Sequence, residues 1–289
     1  MWSSLKFYLL LIKDIVIYIK KVLFPDKELI MTKYKLRKKI DDTTVYVCVH
    51  EWGGYPISRK KTLKNGKTFG CGLKAQLMRY EQGRKNGLVN LTVTMSDCEK
   101  CKDLEYIKER TDSFIEVSNI GMDFSGYGAF YRIIQKHSNN AYVILSNSSV
   151  DSEKEDFLKG YINYMEKNLD VGILGISYST KIYQTLISDN FNPHVQSFFL
   201  LTTIDVLKEV VKLNGGHFPG ENISDKRLLI REGEVGISKF VLSLGYNLAV
   251  VYPEIGKPFK FKKKSEWNKP WGDIRLIVNH PNRITPIKE

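Results

Sequence analysis

Short apolar runs alternate with longer amphipathic stretches along most of this chain. The short runs are rich in β-branched and aromatic residues, which predicts strands, and the longer stretches have the apolar spacing of helices. Strands that alternate with helices favour an α/β fold with a mostly parallel sheet and helices on both faces. The predicted strands are Thr43–Val49, Leu88–Met95, Ser113–Val117, Ala141–Leu145, Asp170–Ile176, Val195–Thr203 and Asn247–Tyr252. The predicted helices are Leu73–Arg84, Asp97–Arg110, Tyr127–Gln135, Ser152–Asn168, Ile204–Leu213 and Leu228–Leu244.

The most informative stretch runs from Phe114 to Asp151, where a strand, a loop, a helix and a second strand follow one another. Its polar residues collect where the two strands end. Ligands of open α/β sheets bind outside the carboxyl ends of the strands, because the loops there present polar groups above a rigid edge. We therefore expect the functional site in these loops. The basic residues 58–71 are predicted to be a loop and the tail from Pro253 to be irregular.

The N-terminal segment, residues 2–24, is strongly apolar but carries five charged side chains. Its longest uncharged run, Phe7–Ile12, is far shorter than the roughly 18–20 residues that a membrane-spanning helix needs. On a helix the lysines fall within one sector and leave a wide apolar face, which is typical of a helix that lies in the membrane interface. No small-residue cleavage site follows, so we do not expect a removed signal peptide. The alternatives are a helix docked on the protein itself and a lysine-bearing transmembrane helix.

The net charge of +12 is concentrated near the N-terminus. Residues 1–40 hold ten Lys and Arg against three Asp and Glu, which leaves +7 in this segment. A basic surface suits nucleic acid, anionic lipid or a phosphorylated ligand equally well. Because this one adjoins an apolar segment, we expect an anionic membrane surface, with Lys33–Lys39 near the headgroups, and no nucleic acid as partner. Residues 1–40 are thus predicted to be an amphipathic membrane helix with a basic linker, and residues 41–289 a separate domain.

The four cysteines leave a zinc site open as an alternative. Cys98 and Cys101 have the spacing of metal or redox pairs, but no second such pair follows. A four-ligand site would require Cys48 and Cys71 to converge on them. The other interpretation is reduced thiols in a cytosolic protein.

Familiar phosphate-binding and catalytic motifs are missing from the chain. It has no GxGxxG after the first strand, no P-loop, and no GxSxG or HExxH motif. This argues against a standard dinucleotide fold, a P-loop nucleotidase and an α/β-hydrolase. What remains is a set of acids and amides at predicted strand-to-helix junctions: Asn119, Asp123, Asn147, Asp151, Glu232 and Glu234.

These candidates each have a structural and a functional interpretation. Asp123 is either a first-turn helix acid, worth about 1 kcal/mol, or a carboxylate that faces a ligand and is fixed by a turn at Gly121. Glu232 and Glu234 lie either in a solvated turn or in a loop that holds a catalytic or metal-binding acid before a helix that starts at about Val235. Gln196 is either a satisfied core amide or a ligand-facing group.

Taken in order, these residues resemble a known family. The segments are Asn119-Ile-Gly-Met-Asp123, Tyr142–Val150, Gln196–Leu201 and Glu232–Ser238, followed by Gly245-Tyr246. Their order and spacing are similar to those of rhamnan synthesis protein F-like glycosyltransferases, bacterial enzymes of cell-surface polysaccharide synthesis such as capsule or O-antigen. The match covers roughly residues 45–252.

The resemblance implies a GT-A-type fold and transfer of a sugar from a nucleotide-sugar donor to a lipid-linked or polysaccharide acceptor. The sugar could be a deoxyhexose such as rhamnose, and the place would be the cytoplasmic face of the cell membrane, with the protein held peripherally or monotopically. The catalytic base would be Glu234 or Asp123, with Glu232 the weaker choice. The donor pocket would be formed by Asn119, Gly121, Asn147, Ser148, Ser149 and Gln196.

The resemblance leaves dependence on a divalent cation open. Asn147–Ser149 stand where many GT-A enzymes place an acidic metal-binding motif, and Asp151 lies two residues beyond. Mg²⁺ and Mn²⁺ favour carboxylate oxygens over amides and hydroxyls. Asp151 is therefore the expected metal ligand, and a Lys or Arg that neutralises the diphosphate is the alternative. The rival to an active enzyme is a degenerate, membrane-associated scaffold or nucleotide-sugar-binding protein.

Overall fold

The computed structural model describes residues 2–23, 35–40, 42–63, 66–137, 139–179, 194–252, 256–261 and 282–288. Its helices are α1 (Trp2–Leu23), α2 (Leu73–Lys85), α3 (Leu104–Glu109), α4 (Asp123–Ile134), α5 (Leu158–Lys167), α6 (Ile204–Leu213), α7 (Lys226–Leu229) and α8 (Val235–Ser243). Its strands are β1 (Val45–Trp52), β2 (Arg59–Thr62), β3 (Thr68–Cys71), β4 (Val89–Ser96), β5 (Ser113–Val117), β6 (Tyr142–Asn147), β7 (Val171–Gly175), β8 (Tyr178–Ser179), β9 (His194–Val195), β10 (Phe199–Thr203), β11 (Asn247–Tyr252) and β12 (Lys257–Phe261).

The main sheet has the order β12-β11-β7-β10-β6-β1-β4-β5. β1 pairs in parallel with β4 and β6, β4 with β5, and β7 with β11. β10 runs antiparallel to both of its neighbours, and β12 is an antiparallel edge strand. The fold class expected from the sequence, an α/β sheet that is mostly parallel with helices on both faces, is confirmed.

The core lies on both faces of this sheet, because successive side chains of a strand point to opposite sides. In β6, Tyr142 and Ile144 pack with α2, α3 and α5, whereas Val143 and Leu145 pack with α4, α6 and α8. Each strand of the centre therefore contributes to two apolar layers. This is why the central strands appear in the sequence as continuous apolar runs rather than as an alternation.

Helix α1 is docked on the domain through the side that carries Phe7, Leu11 and Asp14. Phe7 and Leu11 are buried, and Asp14 accepts two hydrogen bonds from Arg231, at 2.6 and 2.7 Å. Lys6 pairs with Glu232 at 2.8 Å. Within the described part of the chain, none of the helices combines the length and the apolarity needed to cross a bilayer.

Part of the basic segment after α1 is also packed against the domain. Arg37 is buried and donates to the carbonyl oxygens of Val171 and Met165, at 2.6 and 2.5 Å. Lys35 pairs with Glu209 at 2.5 Å. The expectation that Arg37 lies near lipid headgroups is therefore wrong, because its guanidinium is buried and donates to two carbonyl oxygens of the domain. Lys33 lies outside the described residues.

Two predicted helices are shorter than their sequence patterns suggested. Residues 97–110 form a single 3₁₀ turn and then α3, because Asp97 adopts a left-handed conformation (φ 53°) and Cys101 is extended. The helix predicted from Ser152 begins only at Leu158. Ser152 instead donates its N–H to the carbonyl of Gly70 on β3, at 2.8 Å, so this stretch is bound to a strand.

Three other segments differ from their predictions in the type of secondary structure. Within residues 58–71, predicted to be a loop, Arg59–Thr62 and Thr68–Cys71 pair as the antiparallel strands β2 and β3. The strand predicted from Val195 is interrupted by a turn over residues 196–198 and resumes as β10 at Phe199. Glu232 and Glu234 lie in a turn of π-helix, Ile230–Glu234, rather than in a loop, although α8 does begin at Val235.

The close packing of α4 on the sheet can be tested at Gly126. A Cβ added there would lie 2.3 Å from both His50 Nδ1 and Thr94 Oγ1. Gly126→Ala should therefore lower the free energy of unfolding by about 1–3 kcal/mol, the usual cost of overpacking. The measurement is urea denaturation of the full chain.

Gly236→Ala in α8 is the matched control, because the nearest atom to its added Cβ lies 3.8 Å away. Alanine is favoured over glycine inside a helix by up to about 1 kcal/mol, so this variant should be as stable as the parent or more stable. Equal stability of the two variants would contradict the close approach of α4 to the sheet.

Candidate active site

The candidate site lies where the parallel strands of the main sheet end. Trp52, Ser96 and Asn147 close β1, β4 and β6 at this edge. β10 enters the sheet from the same edge, since Phe199 lies opposite Ser146 in an antiparallel pair. Loops from both halves of the chain therefore meet here, as is usual for ligand sites of open α/β sheets.

Asp123 is the carboxylate at the centre of this edge. Its Oδ2 accepts a hydrogen bond from Asn147 Nδ2 at 2.6 Å. Asn147 is fixed in turn, because its Oδ1 accepts from the backbone N–H of Ser149 at 3.0 Å. The Asp123 side chain is half-buried, and no hydrogen bond reaches its Oδ1 from the residues that the structure describes. This oxygen is thus available to a ligand.

The backbone before Asp123 is strained, and neighbouring groups hold it in place. Met122 has φ 49° and ψ −130°, an unusual conformation for a residue with a side chain. Gly121 lies directly against the 220–221 turn, where an added Cβ would be 2.4 Å from the Glu221 carbonyl oxygen. Ser125 links the two, accepting from the Gly121 N–H at 2.8 Å and donating to the Glu221 carbonyl at 3.0 Å. The loop thus places Asp123 at the first position of α4.

A buried histidine lies beneath this carboxylate. His50, near the end of β1, is within 3.0 Å of Thr94 Oγ1 through its Nδ1. Burial lowers the pKa of His50, and the negative charge of Asp123 opposes that shift only in part. The imidazole is therefore neutral at physiological pH, and Asp123 is not neutralised by a cation from below.

Glu234 is the second carboxylate of this edge, and its oxygens are both engaged. Oε2 accepts from the backbone N–H and the hydroxyl of Ser197, each at 2.9 Å. His194 Nε2 lies 3.3 Å from Oε1. Burial opposes ionisation of Glu234, but His194 and Ser197 outweigh it, so the pKa of this carboxyl lies below its usual range. Glu234 is thus an ionised group that fixes the turn before β10.

Asp123 and Glu234, which are 111 residues apart in the sequence, both approach Tyr127. The Tyr127 hydroxyl donates to the Ser197 carbonyl at 3.0 Å. Burial raises the pKa of Tyr127 well above its usual value, and the charges of Asp123 and Glu234 contribute to the rise. The backbone N–H of Asn147 donates to the Phe198 carbonyl at 3.2 Å. One chain of contacts thus joins the two predicted acids.

The remaining predicted site residues have varied positions. Asn119 is exposed, and its Oδ1 accepts from Ser96 Oγ at 3.4 Å. Gln196 is buried, and its Oε1 accepts from Ser177 at 2.6 Å, which corresponds to the core-amide interpretation. Glu232 points to α1, where it pairs with Lys6.

Asp151 lies in a buried ion-pair network. Its Oδ2 is 2.9 Å from Arg283 Nε and its Oδ1 3.7 Å from Arg79 Nη2, with the side chain 3% exposed. Burial raises the pKa of Asp151, and the two arginines oppose this shift. The metal-binding role expected for Asp151 stays a prediction, and this arrangement gives the carboxylate an alternative, structural role.

The structure also brings in residues that the sequence did not single out. Arg59 of the β2–β3 hairpin contacts Glu51 at 2.7 Å and Ser148 Oγ at 2.6 Å. Lys61 follows two residues later on the same strand, and its charge interacts with that of Asp123. The available signal was the basic run from Arg59 to Lys61 shortly after the end of the first predicted strand, which had been interpreted as a loop.

The cysteines do not converge on a metal. In the ranges that the structure covers, His, Cys, Asp and Glu side chains form no group of three or more that could hold a metal ion. Cys48, Cys71 and Cys98 are buried free thiols. Burial raises the pKa of Cys48 to about 12 and that of Cys98 to about 11. They are therefore packed as protonated thiols.

No family model and no curated protein sequence matches the chain. Among solved structures, 2-C-methyl-D-erythritol 4-phosphate cytidylyltransferase from Francisella tularensis is 14% identical, with a TM-score of 0.44, over 72% of this chain and 90% of that chain. Glucosyl-3-phosphoglycerate synthase from Mycobacterium tuberculosis, in complex with Mn²⁺, UDP-glucose and glycerol 3-phosphate, is 11% identical, with a TM-score of 0.40, over 67% and 68%. TarS from S. aureus is 11% identical, with a TM-score of 0.37, over 70% and 55%. Because these TM-scores are below 0.5, the fold assignment depends on the strand order itself.

The environment of Glu234 predicts a specific loss of stability in acid. The pKa of Glu234 is depressed in the folded state. The contribution of its carboxylate to the free energy of unfolding is therefore complete above the unfolded-state pKa of about 4.3. That contribution is lost as the pH falls through the lower folded-state pKa. Glu234→Gln should therefore destabilise the protein at pH 7, by roughly 1–3 kcal/mol, and should lose less further stability between pH 7 and about pH 3 than the parent does.

Urea denaturation across this pH range measures both effects. Glu232→Gln, in the same π-helical turn, is the control, because it removes only a partly exposed pair with Lys6 worth at most about 1 kcal/mol. If Glu234→Gln had the same pH dependence as the parent, the ionised state assigned to Glu234 would be incorrect.

Proposed function

We propose that this protein is a glycosyltransferase that moves a sugar from a nucleotide-sugar to a lipid-linked or polysaccharide acceptor. The observation that carries the proposal is the arrangement around Asp123. A carboxylate with one available oxygen lies at the carboxyl edge of a mostly parallel sheet, oriented by Asn147. The sequence resemblance to rhamnan synthesis protein F-like enzymes supports the same reaction class and a deoxyhexose such as rhamnose as the sugar.

Asp123 is assigned as the general base. Its available oxygen accepts the proton of the acceptor hydroxyl. At the same time the hydroxyl oxygen attacks the anomeric carbon, and the bond from that carbon to the donor diphosphate breaks. Asn147 holds the other carboxylate oxygen, so the available one keeps a fixed direction. The neutral His50 beneath it does not cancel its charge.

Glu234 is assigned a positioning role. Its oxygens bind Ser197 and approach His194, which leaves it poorly placed to take a proton from a substrate. By holding Ser197 it fixes the turn that contacts Asn147 through the Phe198 carbonyl. Glu232 is the least supported of the three acids, since it pairs with Lys6 on α1.

The assignment of Asp123 is tested by Asp123→Asn, which keeps the size of the side chain but removes the proton acceptor. Turnover should fall about 10²- to 10⁴-fold, the usual contribution of a general base, while donor binding changes little. The assay follows release of nucleoside diphosphate from UDP-, dTDP- and GDP-sugars in the presence of a lipid-linked oligosaccharide.

Asp103→Asn is the matched control, because Asp103 is likewise an acid at the amino end of a helix, the N-cap of α3, and its side chain makes no cap hydrogen bond. It should leave turnover unchanged. Unchanged turnover in Asp123→Asn would refute the assignment. Donor binding by the parent without turnover would favour the degenerate scaffold instead.

The second part of the proposal is that α1 lies on an anionic bilayer at the cytoplasmic face. Its outward side is a continuous apolar stripe, with side chains 49–65% exposed. The stripe consists of Leu5, Leu9, Ile12, Val16, Ile19 and Leu23. These positions repeat every three or four residues, which places them on one side of the helix. Lys6 and Lys13 border that side, where cations meet headgroups of an interfacial helix.

An anionic bilayer fits this stripe better than a second protein because of the charge beside it. Residues 1–40 carry an excess of +7, and although Arg37 and Lys35 are used within the domain, the side chains of Lys13, Lys38 and Lys39 make no ion pair in the described structure. Each basic residue near an anionic leaflet contributes about 1 kcal/mol. A lipid-linked acceptor would be presented at the same surface.

This placement predicts salt-sensitive binding to phosphatidylglycerol vesicles. Replacing Leu9, Ile12 and Val16 by Ser should weaken vesicle binding by roughly 100-fold or more, since each loses about 1 kcal/mol or more of apolar burial. Binding should also weaken as salt is raised. Sedimentation of the full chain with vesicles measures both.

The control carries Leu88→Ser and Leu213→Ser, two leucines that are similarly exposed, at 47% and 48%, but lie outside α1. It should bind vesicles as the parent does. Equal binding by the stripe variant and the parent would exclude the stripe as the lipid contact, and a concentration-dependent dimer that is lost only in the stripe variant would identify a second copy as its partner.

A further inference from the structure

The residues at the position of the expected acidic motif do not fit a divalent cation. Asn147 is committed to Asp123 and Ser149. Ser148 Oγ accepts a hydrogen bond from Arg59 Nη2 at 2.6 Å, so a guanidinium lies where a metal would need an oxygen ligand. Asp151 is buried between two arginines. Hydroxyl and amide oxygens beside a fixed cation are a poor donor set for Mg²⁺ or Mn²⁺.

The β2–β3 hairpin is anchored at this position. Arg59 bridges Ser148 and the buried Glu51, the latter at 2.7 Å, and stacks on the Tyr55 ring at 4.4 Å. The Gly72 N–H, just after β3, donates to the Ser148 carbonyl at 2.9 Å. The charge of Arg59 is balanced by Glu51. Arg59 therefore holds the hairpin in place and has little charge left for a ligand.

Lys61 is the cation that this anchoring presents to the site. Side chains two apart on a strand share a face, so Lys61 lies on the same side of the hairpin as Arg59. It is exposed, and within the described chain it makes no hydrogen bond or ion pair. Partial desolvation by the surrounding groups lowers the pKa of its ammonium, and the charges of Asp123 and Glu51 act in the opposite direction. Because Arg59 on this face contacts Ser148, the neighbour of Asn147, Lys61 lies on the side of the hairpin that faces the site and has no partner of its own in the described chain.

We propose that Lys61 takes the place of a divalent cation and binds the diphosphate of the donor, so that the reaction is independent of metal. The inference rests on the transferase function proposed above. As the bond from the anomeric carbon to the diphosphate oxygen breaks, its electron pair moves to that oxygen, and the charge of Lys61 stabilises it. The acceptor oxygen forms the new bond and its proton passes to Asp123. Lys61 remains protonated throughout.

Calorimetric titration of the full chain with UDP, dTDP and GDP tests this role. At least one of them should bind in excess EDTA, and added Mg²⁺ or Mn²⁺ should change its Kd less than about threefold. Lys61→Met should weaken that binding about 10- to 100-fold, the equivalent of one charge-assisted hydrogen bond, and Lys61→Arg should restore most of it.

Lys60→Met is the matched control. Lys60 is also exposed and adjoins Lys61 on the same strand, but it points to the other face of the hairpin, so its replacement should leave Kd unchanged. Thermal unfolding of each variant confirms that the fold is retained.

The outcomes separate this inference from the proposed function. Binding that appears only when Mg²⁺ or Mn²⁺ is added would overturn the role of Lys61 and leave the transferase function standing. Equal Kd values for Lys61→Met and the parent in EDTA would do the same. Absence of binding by the parent to all three nucleotides, with and without metal, would overturn both.

Discussion

The antiparallel pairing of β10 with β6 is the constraint on which the candidate site depends. Because β10 runs against β6, Phe199 lies opposite Ser146 and Thr203 opposite Tyr142. The turn that leads into β10 is thereby placed at the carboxyl end of β6, where Asn147 contacts it through the Phe198 carbonyl. A parallel β10 would put that turn at the other edge of the sheet. Ser197 and its partner Glu234 would then be separated from Asp123 by the length of a strand.

Strain before Asp123 is compensated by contacts that also shape the site. An unusual conformation at a residue such as Met122 costs on the order of 1–3 kcal/mol and persists only where its surroundings determine it. Here the surroundings are the Ser125 hydroxyl, which joins the Gly121 N–H to the Glu221 carbonyl, and the close contact of Gly126 with His50. The result is a carboxylate held at the amino end of α4. The same packing that fixes α4 therefore fixes the direction of Asp123.

The sequence predicted the features that depend on local pattern. The apolar runs located the central strands, and the polar residues at their ends located the site edge, including Asp123 and Asn147. It could not predict the β2–β3 hairpin, because a basic, glycine-containing stretch lacks alternation and its stability comes from distant partners such as Ser148 and Glu51. Nor could it predict that Glu234 binds Ser197, since both residues of that pair are ordinary in their local sequence. Gln196 illustrates the same limit, because only its contact with Ser177 distinguishes a core amide from a ligand group.

The segment that carries Glu234 also connects the site to α1. Arg231 and Glu232 of the π-helical turn bind Asp14 and Lys6 of α1, while Gly233 in the same turn packs so closely on the Phe124 ring that an added Cβ would be 3.0 Å from it. Phe124 directly follows Asp123. The Asp14–Arg231 pair is mostly buried and bidentate, so it contributes more than the exposed Lys6 pair does, and Phe7 and Leu11 add apolar burial beside it. If α1 lies on a bilayer, this turn fixes the orientation of Asp123 relative to the lipid surface. A short connection between the proposed lipid contact and the proposed base would suit an acceptor that is itself held in the membrane, because the acceptor hydroxyl would then need only to move within the plane of the bilayer to reach the site.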